Sequence, residues 1–272
     1  MSPVDVVHWN PRDARFPGPL GQALSRAPRK NNFGDLLGPL VVELLRAERR
    51  GVRGPGRPAA RSRRRRLLTV GSILHLAHEG DTVWGSGVNG KARPEDHRFR
   101  TLDVRAVRGP RTREFLLERG IEVPEVYGDP ALLLPRLMPE LVALVPRKRY
   151  ALAVVPNLNE ASGLAGHPSF VDPRGPVHDV LRRLAQSERV VGSSLHAVVV
   201  AEALGVPASL VRAQGEPELK YDDYFRGSGR TGYETFPDLE SALAAPPVVA
   251  EMPWDPQPLL DAFPWDVVDP GA

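Results

Sequence analysis

The stretch VVGSSLHAVVVAEALGVP, residues 190–207, holds the side chains best suited to chemistry. An apolar strand ends at Gly192, and Ser193 or Ser194 is placed to cap the helix that follows. His196 then falls in the first helical turn, where backbone N–H groups lack intrahelical partners and can hold an anion. An imidazole beside a bound anion is suited to general acid catalysis. The same residues suit a histidine packed at a helix start and satisfied by a carbonyl. LKYDDYF, residues 219–225, adds Lys220, Asp223 and Tyr224, which is a cation, a carboxylate and a phenol in one loop, or an ordinary polar turn.

DTVWGSGVNGKA, residues 81–92, overlays two phosphate-loop patterns. Gly85, Gly87 and Gly90 spell the dinucleotide fingerprint, and Gly85, Gly90 and Lys91 spell most of a P-loop. The fingerprint needs a helix directly after its glycines, to meet the pyrophosphate. KARPEDHRFR follows instead, with Pro94 and many charges, and reads as a loop. The basic run Val104–Arg111 occupies the region where a ribose-binding acid belongs, and Ala92 replaces the hydroxyl that would ligate Mg²⁺. The glycines keep interest as a strand end, because ligands of α/β sheets bind there. His75 and His78 stand three apart without an evident third ligand, so no metal site is expected. No G-x-S-x-G nucleophile elbow occurs.

The elements that must position these residues follow from the apolar pattern. Residues 34–48 read as an amphipathic helix with Asp35 as its cap. Short apolar strands are expected from residue 66, at 82–87 and from 104, then a helix from about Pro110 to Glu118, then a strand and turn over PEVYGDPALLLP. A second set starts near Arg149: strand YALAVVPN, helix GPVHDVLRRLAQSE, strand RVVGSS, helix LHAVVVAEALG and strand VPASLV. This alternation implies parallel sheets. The break at LVPRKRY divides the chain into residues 1–143 and 144–245, and the Pro- and Trp-rich residues 246–272 read as a tail crossing back over the first part.

The 272 residues, 42% hydrophobic and 25% charged, suffice for two modest globular domains. Cysteine is absent, which excludes disulfides and thiolate metal sites. No basic segment followed by an apolar run and no apolar stretch of spanning length is visible, so a cytoplasmic protein is expected. The net charge of +3 is concentrated in arginines between Arg49 and Arg66. Such a run can bind nucleic acid, but no aromatic residues interleave to stack on bases. It is read as a solvated, dispensable loop over residues 50–65, and no nucleic-acid partner is expected.

Six segments taken together resemble the polysaccharide pyruvyl transferases. They are NFGDLLGP (32–39), VGSILHLA (70–77), DTVWGSGV (81–88), the run 104–135, SSLHAVVVAEALGVP (193–207) and LKYDDYF. The resemblance implies two Rossmann-like α/β domains in a GT-B-like arrangement, the first on the acceptor side and the second on the donor side of an interdomain cleft. It implies phosphoenolpyruvate as donor substrate, a sugar or glycan hydroxyl pair as acceptor, a pyruvate ketal as product, and no cofactor. A homo-oligomer is left open.

The family's donor-contacting Leu-His pair maps onto Leu195 and His196. Many members carry Arg just before that pair, where this chain has Ser194; a branch with Ser also exists. In that branch the second domain's first strand usually ends in Pro-His, and here it ends in Pro156-Asn157. On this reading His196 is the acid, the Ser193–Leu195 backbone cradles the donor's anionic groups, and Asn157 lies on the donor side. Lys220, Arg108 and Arg111 are the candidate cations. Asp35 or Asp223 would orient the acceptor, with Asn32 and the strand end Gly85-Ser86-Gly87. Two alternatives stand beside it: a GT-B glycosyltransferase using a nucleotide sugar, and a non-catalytic binding protein on the same fold.

Overall fold

The structure is a computed structural model, and it describes residues 4–12, 29–51 and 65–270. Most of the arginine-rich stretch lies outside the described residues, and with it the expectation of a dispensable loop. The first sheet has the order β1 (Asp5–Val7), β2 (Arg66–Leu68), β3 (Thr82–Ser86) and β4 (Asp103–Val107), all parallel. The second has the order β5 (Ala153–Val154), β6 (Val190–Gly192), β7 (Ala208–Val211) and β8 (Thr235–Phe236), again all parallel. Their inner strands are buried, as parallel strands covered on both faces must be.

Five helices matter for the site: α1 (Phe33–Arg49), α2 (Pro110–Leu117), α3 (Val177–Ala185), α4 (Leu195–Ala203) and α5 (Leu219–Gly227). α1 buries one face, Phe33, Leu37, Val41, Leu44 and Leu45. α4 is different: every residue from Leu195 to Glu202 is buried. A helix that is apolar all round has to be covered all round. β6 and β7 cover it from its own sheet, and α1 with the turn Pro130–Leu133 covers it from the first half of the chain. The sequence of α4 thus forces the two halves together along this helix.

Two further contacts join the halves. Gly109, just after β4, and Gly227, at the end of α5, let backbones touch: a Cβ on Gly109 would strike the Asp223 carbonyl, and one on Gly227 would strike the Arg108 carbonyl. Beside them the Arg108 guanidinium and the Asp223 carboxylate form an ion pair with both side chains fully buried, 2.9 Å apart. The end of the chain then returns to the first sheet. Trp84 Nε1 donates to the Leu259 carbonyl at 2.8 Å, Trp254 Nε1 donates to the Tyr127 carbonyl at 2.9 Å, and Phe263 packs edge-on against Trp84.

Three local expectations need correction. Residues 219–225 form the first turns of α5, not a loop, so Lys220 and Asp223 are held on one rigid element. Asp35 does not cap α1. Asn32 holds the cap position without a side-chain bond to the helix backbone, and Asp35 sits in the first turn, accepting from Asn32 Nδ2 at 2.8 Å. Only Tyr127 of the stretch 124–129 pairs, in an isolated bridge to Val107, before a Gly128 with φ of 151° and Pro130 turn the chain into a 3₁₀ helix.

Candidate functional site

A pocket of about 270 Å³ opens between the two halves, lined by residues of both. The second half contributes Ser194, Leu195 and His196 from the start of α4, Asn157 to Asn159 from the loop after β5, and Glu216 and Lys220. The first half contributes Asn32 and Asp35 of α1, Ser72, Ile73 and His75, Asn89 with Lys91, and Trp9. The Ser194 amide, counted from sequence in the anion cradle, is spent on the Val155 carbonyl at 3.2 Å. The amides of Leu195 and His196 have no intrahelical carbonyls to reach, and both residues line a pocket that also holds two ammonium groups.

His196 is wedged between α1 and the turn at Asp129. Its Nε2 lies 3.6 Å from Asp129 Oδ2. Both atoms are buried and neither has a hydrogen bond. Asp129 is fully buried, and its other oxygen accepts from the Ala131 amide at 3.0 Å, capping the 3₁₀ helix. On the opposite side the ring rests on Gly34. A Cβ there would strike Nδ1 and lie 2.7 Å from His196 Cγ and 2.9 Å from its Cβ, so the close approach depends on glycine. His196 lines the pocket, its Nε2 is sealed against Asp129, and its Nδ1, which lies beside Gly34, is the ring nitrogen left for a ligand.

The charged groups come from both halves. The Glu216 carboxylate takes an ion pair from Lys220 at 2.7 Å and another from Lys91. Burial pushes the Glu216 carboxyl up, but hydrogen bonds from Lys220 and Lys91 outweigh it and hold the group below the usual carboxylate range. Burial pulls the Lys220 ammonium below the usual lysine range, opposed by Glu216. Asp35 is enclosed by protein and only partly open to the pocket. Burial pushes its carboxyl up, against His196, the Asn32 hydrogen bond and Lys220, which favour the carboxylate. A carboxylate and an imidazole of different environments thus share one pocket with two lysines.

Of the residues singled out from sequence, Asn32, Asp35, Asn157, Ser194, Leu195, His196 and Lys220 line the pocket. Seven do not. Ser193 is turned behind it: its Oγ accepts from the Asn157 amide at 2.9 Å and donates to Glu160, so it braces the loop after β5 and caps nothing. Arg108 is spent on Asp223, on the Val88 carbonyl at 2.9 Å and on Ser72 Oγ at 2.5 Å, so it supports a wall residue from behind. Asp223 is closed off by that pair and by Thr112, whose Oγ donates to it at 2.7 Å, and cannot orient an acceptor. Arg111 pairs with Asp222 at 2.6 Å on the outer surface. Gly85 packs against Pro130, Gly87 packs against the Arg108 guanidinium, and Ser86 Oγ donates to the Gly71 carbonyl at 3.0 Å. β3 runs into a loop and not a helix, so neither phosphate-loop pattern finds the geometry it needs.

The pocket also contains residues that the sequence reading passed over. Lys91 belonged to the discarded P-loop pattern, and Asn89 folds the loop beneath it by accepting from the amides of Lys91 and Ala92 at 2.8 and 2.9 Å. Glu216 stands four residues before Lys220 but precedes Pro217 and the start of α5, so no helical spacing marks the pair. Asp129 carries no signal either, because its partner His196 is 67 residues away (196 − 129).

Comparison with known proteins agrees with the sequence resemblance. The family model for polysaccharide pyruvyl transferase matches residues 73–212. The succinoglycan biosynthesis protein ExoV of Rhizobium meliloti is 32% identical over 179 residues, which are 61% of this chain and 54% of that protein. This chain therefore spans about half the length of that curated relative. A functionally uncharacterized protein of Klebsiella pneumoniae, known as a crystal structure, aligns over 85% of this chain and 89% of its own with a TM-score of 0.45 and 13% identity.

Proposed function

The chain belongs to the polysaccharide pyruvyl transferase family, and on that premise we propose that it moves the enolpyruvyl group of phosphoenolpyruvate onto two hydroxyls of a sugar, forming a pyruvate ketal. The relative's part in succinoglycan biosynthesis supports a polysaccharide, or a precursor of one, as the source of that sugar. The two parallel sheets with a pocket between them support a GT-B-like arrangement, with the donor against the second half and the acceptor against the first.

The observation that carries the proposal is His196 at the start of α4, in one pocket with Lys220 and Lys91. Phosphoenolpyruvate presents a carboxylate, a phosphate and an enol carbon that must be protonated. Lys220, Lys91 and the first-turn amides of α4 supply cations and donors for the two anionic groups. His196 gives a proton to C3, the double-bond electrons forming the new C–H bond and leaving cationic character at C2. One sugar hydroxyl adds to C2 and loses its proton. The C2–O bond to phosphate breaks, inorganic phosphate leaves with the bonding pair, and the second hydroxyl closes the ring and loses its proton. Of the two hydroxyl protons, one restores His196 and one leaves with phosphate, so the sum is phosphoenolpyruvate plus diol giving ketal plus phosphate. Asp35, an acceptor-side carboxyl whose proton affinity is raised by burial, is the group suited to relay the second of these hydroxyl protons to the departing phosphate.

The test is a donor screen against oligosaccharide acceptors. Phosphate release from phosphoenolpyruvate that depends on acceptor is the expected result, reduced roughly 10²–10⁴-fold in both His196→Ala and His196→Gln. Release of a nucleoside diphosphate from a nucleotide sugar instead would make the protein a glycosyltransferase on a similar fold.

A further inference from the structure

We propose that Asp129 is a positioning residue for His196: it accepts the Nε2 proton of the imidazole and thereby presents Nδ1 to the pocket as the atom that gives and regains the catalytic proton. The inference rests on the proposed role of His196 as acid, and it adds a residue, an atom and a tautomer to that role.

Two unsatisfied buried atoms carry the argument. Buried polar atoms find partners, and an orphan costs desolvation energy. Among the described residues, six buried side-chain atoms lack a partner, and two of these, Asp129 Oδ2 and His196 Nε2, face each other at 3.6 Å. That is a few tenths of an ångström beyond a hydrogen bond, and hydrogen bonds at active sites are commonly long in the empty enzyme and tighten with substrate. Asp129 cannot move to another role, because Oδ1 is fixed on the Ala131 amide and the side chain has no exposure. His196 cannot turn away either, because Gly34 of α1 lies against the ring. The other carboxylates and ammonium groups of this pocket are Asp35 from α1, which interacts with His196, Lys220 from α5, Glu216 and Lys91. None of these is paired with Nε2.

The arrangement has a direct chemical consequence. A carboxylate can only accept, so it selects the tautomer with the proton on Nε2 and the lone pair on Nδ1. When His196 is protonated, both nitrogens carry hydrogen, Asp129 balances the charge, and the Nδ1 proton is the one within reach of the pocket. Transfer to the enol C3 returns the ring to the Nε2–H tautomer that Asp129 already favours. A carboxylate that orients a catalytic imidazole in this way is worth about 10⁴ in turnover in serine proteases.

Asp129→Asn preserves size and the Oδ1 cap on Ala131, and replaces an obligate acceptor with a group that can also donate. The first readout does not need activity. Nitrogen-15 spectra of histidine-labelled protein, with the His196 signals assigned by their loss in His196→Gln, report which ring nitrogen holds the proton at a pH where the ring is neutral. The wild type is expected to show Nε2–H, and the Asp129→Asn variant to shift the population toward Nδ1–H. The second readout is a cycle of turnovers under saturating phosphoenolpyruvate. Asp129→Asn alone is expected to lower kcat by roughly 10²–10⁴-fold with KM for the donor within a few-fold. In the His196→Gln background the same change should cost less than about three-fold, as expected of residues that act as one unit. An Nδ1–H tautomer in the wild type, an unchanged tautomer in the variant, or a full independent loss in the His196→Gln background each overturns the proposal. Because the spectra are read without substrate, they judge the dyad even if no pyruvyl transfer is detected.

Discussion

Asp35 shows what a pocket residue costs the fold that carries it. Burial raises its proton affinity in the folded protein, so its ionised form costs the fold more than it costs the unfolded chain. Such a group contributes its full stability below the unfolded carboxyl value, about 3.9, and loses it as pH rises through the higher folded value. Asp35→Asn removes the penalty and keeps an oxygen for Asn32 Nδ2. We expect the variant to melt above the wild type at pH 7, the gap closing as pH is lowered through the carboxyl range, while acceptor-dependent turnover falls. Melting curves across that range check it, and a variant less stable at pH 7 would show that Asp35 is held as a favoured carboxylate. Legibility at this scale was uneven. His196, Lys220 and Asp35 stood out by type and place, whereas Asp223 and Arg108 looked equally functional and proved to be each other's partners. Composition names a charged group but cannot say whether its counter-charge is a substrate or another side chain.

The elements were legible wherever apolar runs were long. α4 and the inner strands follow directly from their valines and alanines. Stretches such as LKYDDYF did not reveal themselves, because a helix with one buried face and one charged face over nine residues resembles a polar turn. The packing of α1 on α4 was not legible at all, since it depends on Gly34 meeting a ring 162 positions away (196 − 34). Gly34→Ala tests that contact. Alanine gains roughly 1 kcal/mol of helix propensity in a helix interior. In α1 the added methyl would overlap the His196 ring near its fixed end, where no flexible tip can yield. Loss of turnover by at least ten-fold with the fold retained by circular dichroism is expected; wild-type turnover would show that the ring has freedom to shift.

At the scale of the molecule, the pocket exists because the halves are fastened around it. α4 provides the apolar part of the fastening, and Arg108 with Asp223 the ionic part, with Thr112 completing the carboxylate's bonds. A buried pair is weak evidence of net stability, but breaking one side of it leaves a buried charge alone, at a cost of about 3–5 kcal/mol. Arg108→Ala is expected to lose that much in denaturant unfolding, while Arg111→Ala, which opens a pair partly open to solvent, should change stability by less than about 1 kcal/mol. Equal effects of the two would contradict the clamp. Among the described residues no helix is long and apolar enough to cross a membrane. The two-sheet alternation was visible in the sequence, yet the shared pocket was not, because Lys91 and Glu216 meet across 125 positions of chain (216 − 91).

A crystal structure with phosphoenolpyruvate bound tests the central claim most directly. The account predicts the donor in the pocket at the start of α4, its anionic groups on Lys220, Lys91 and the first-turn amides, and its enol C3 facing Nδ1 of His196. A donor bound away from α4, or lying in this pocket with C3 turned from the imidazole and no group of the chain able to protonate it, would contradict it.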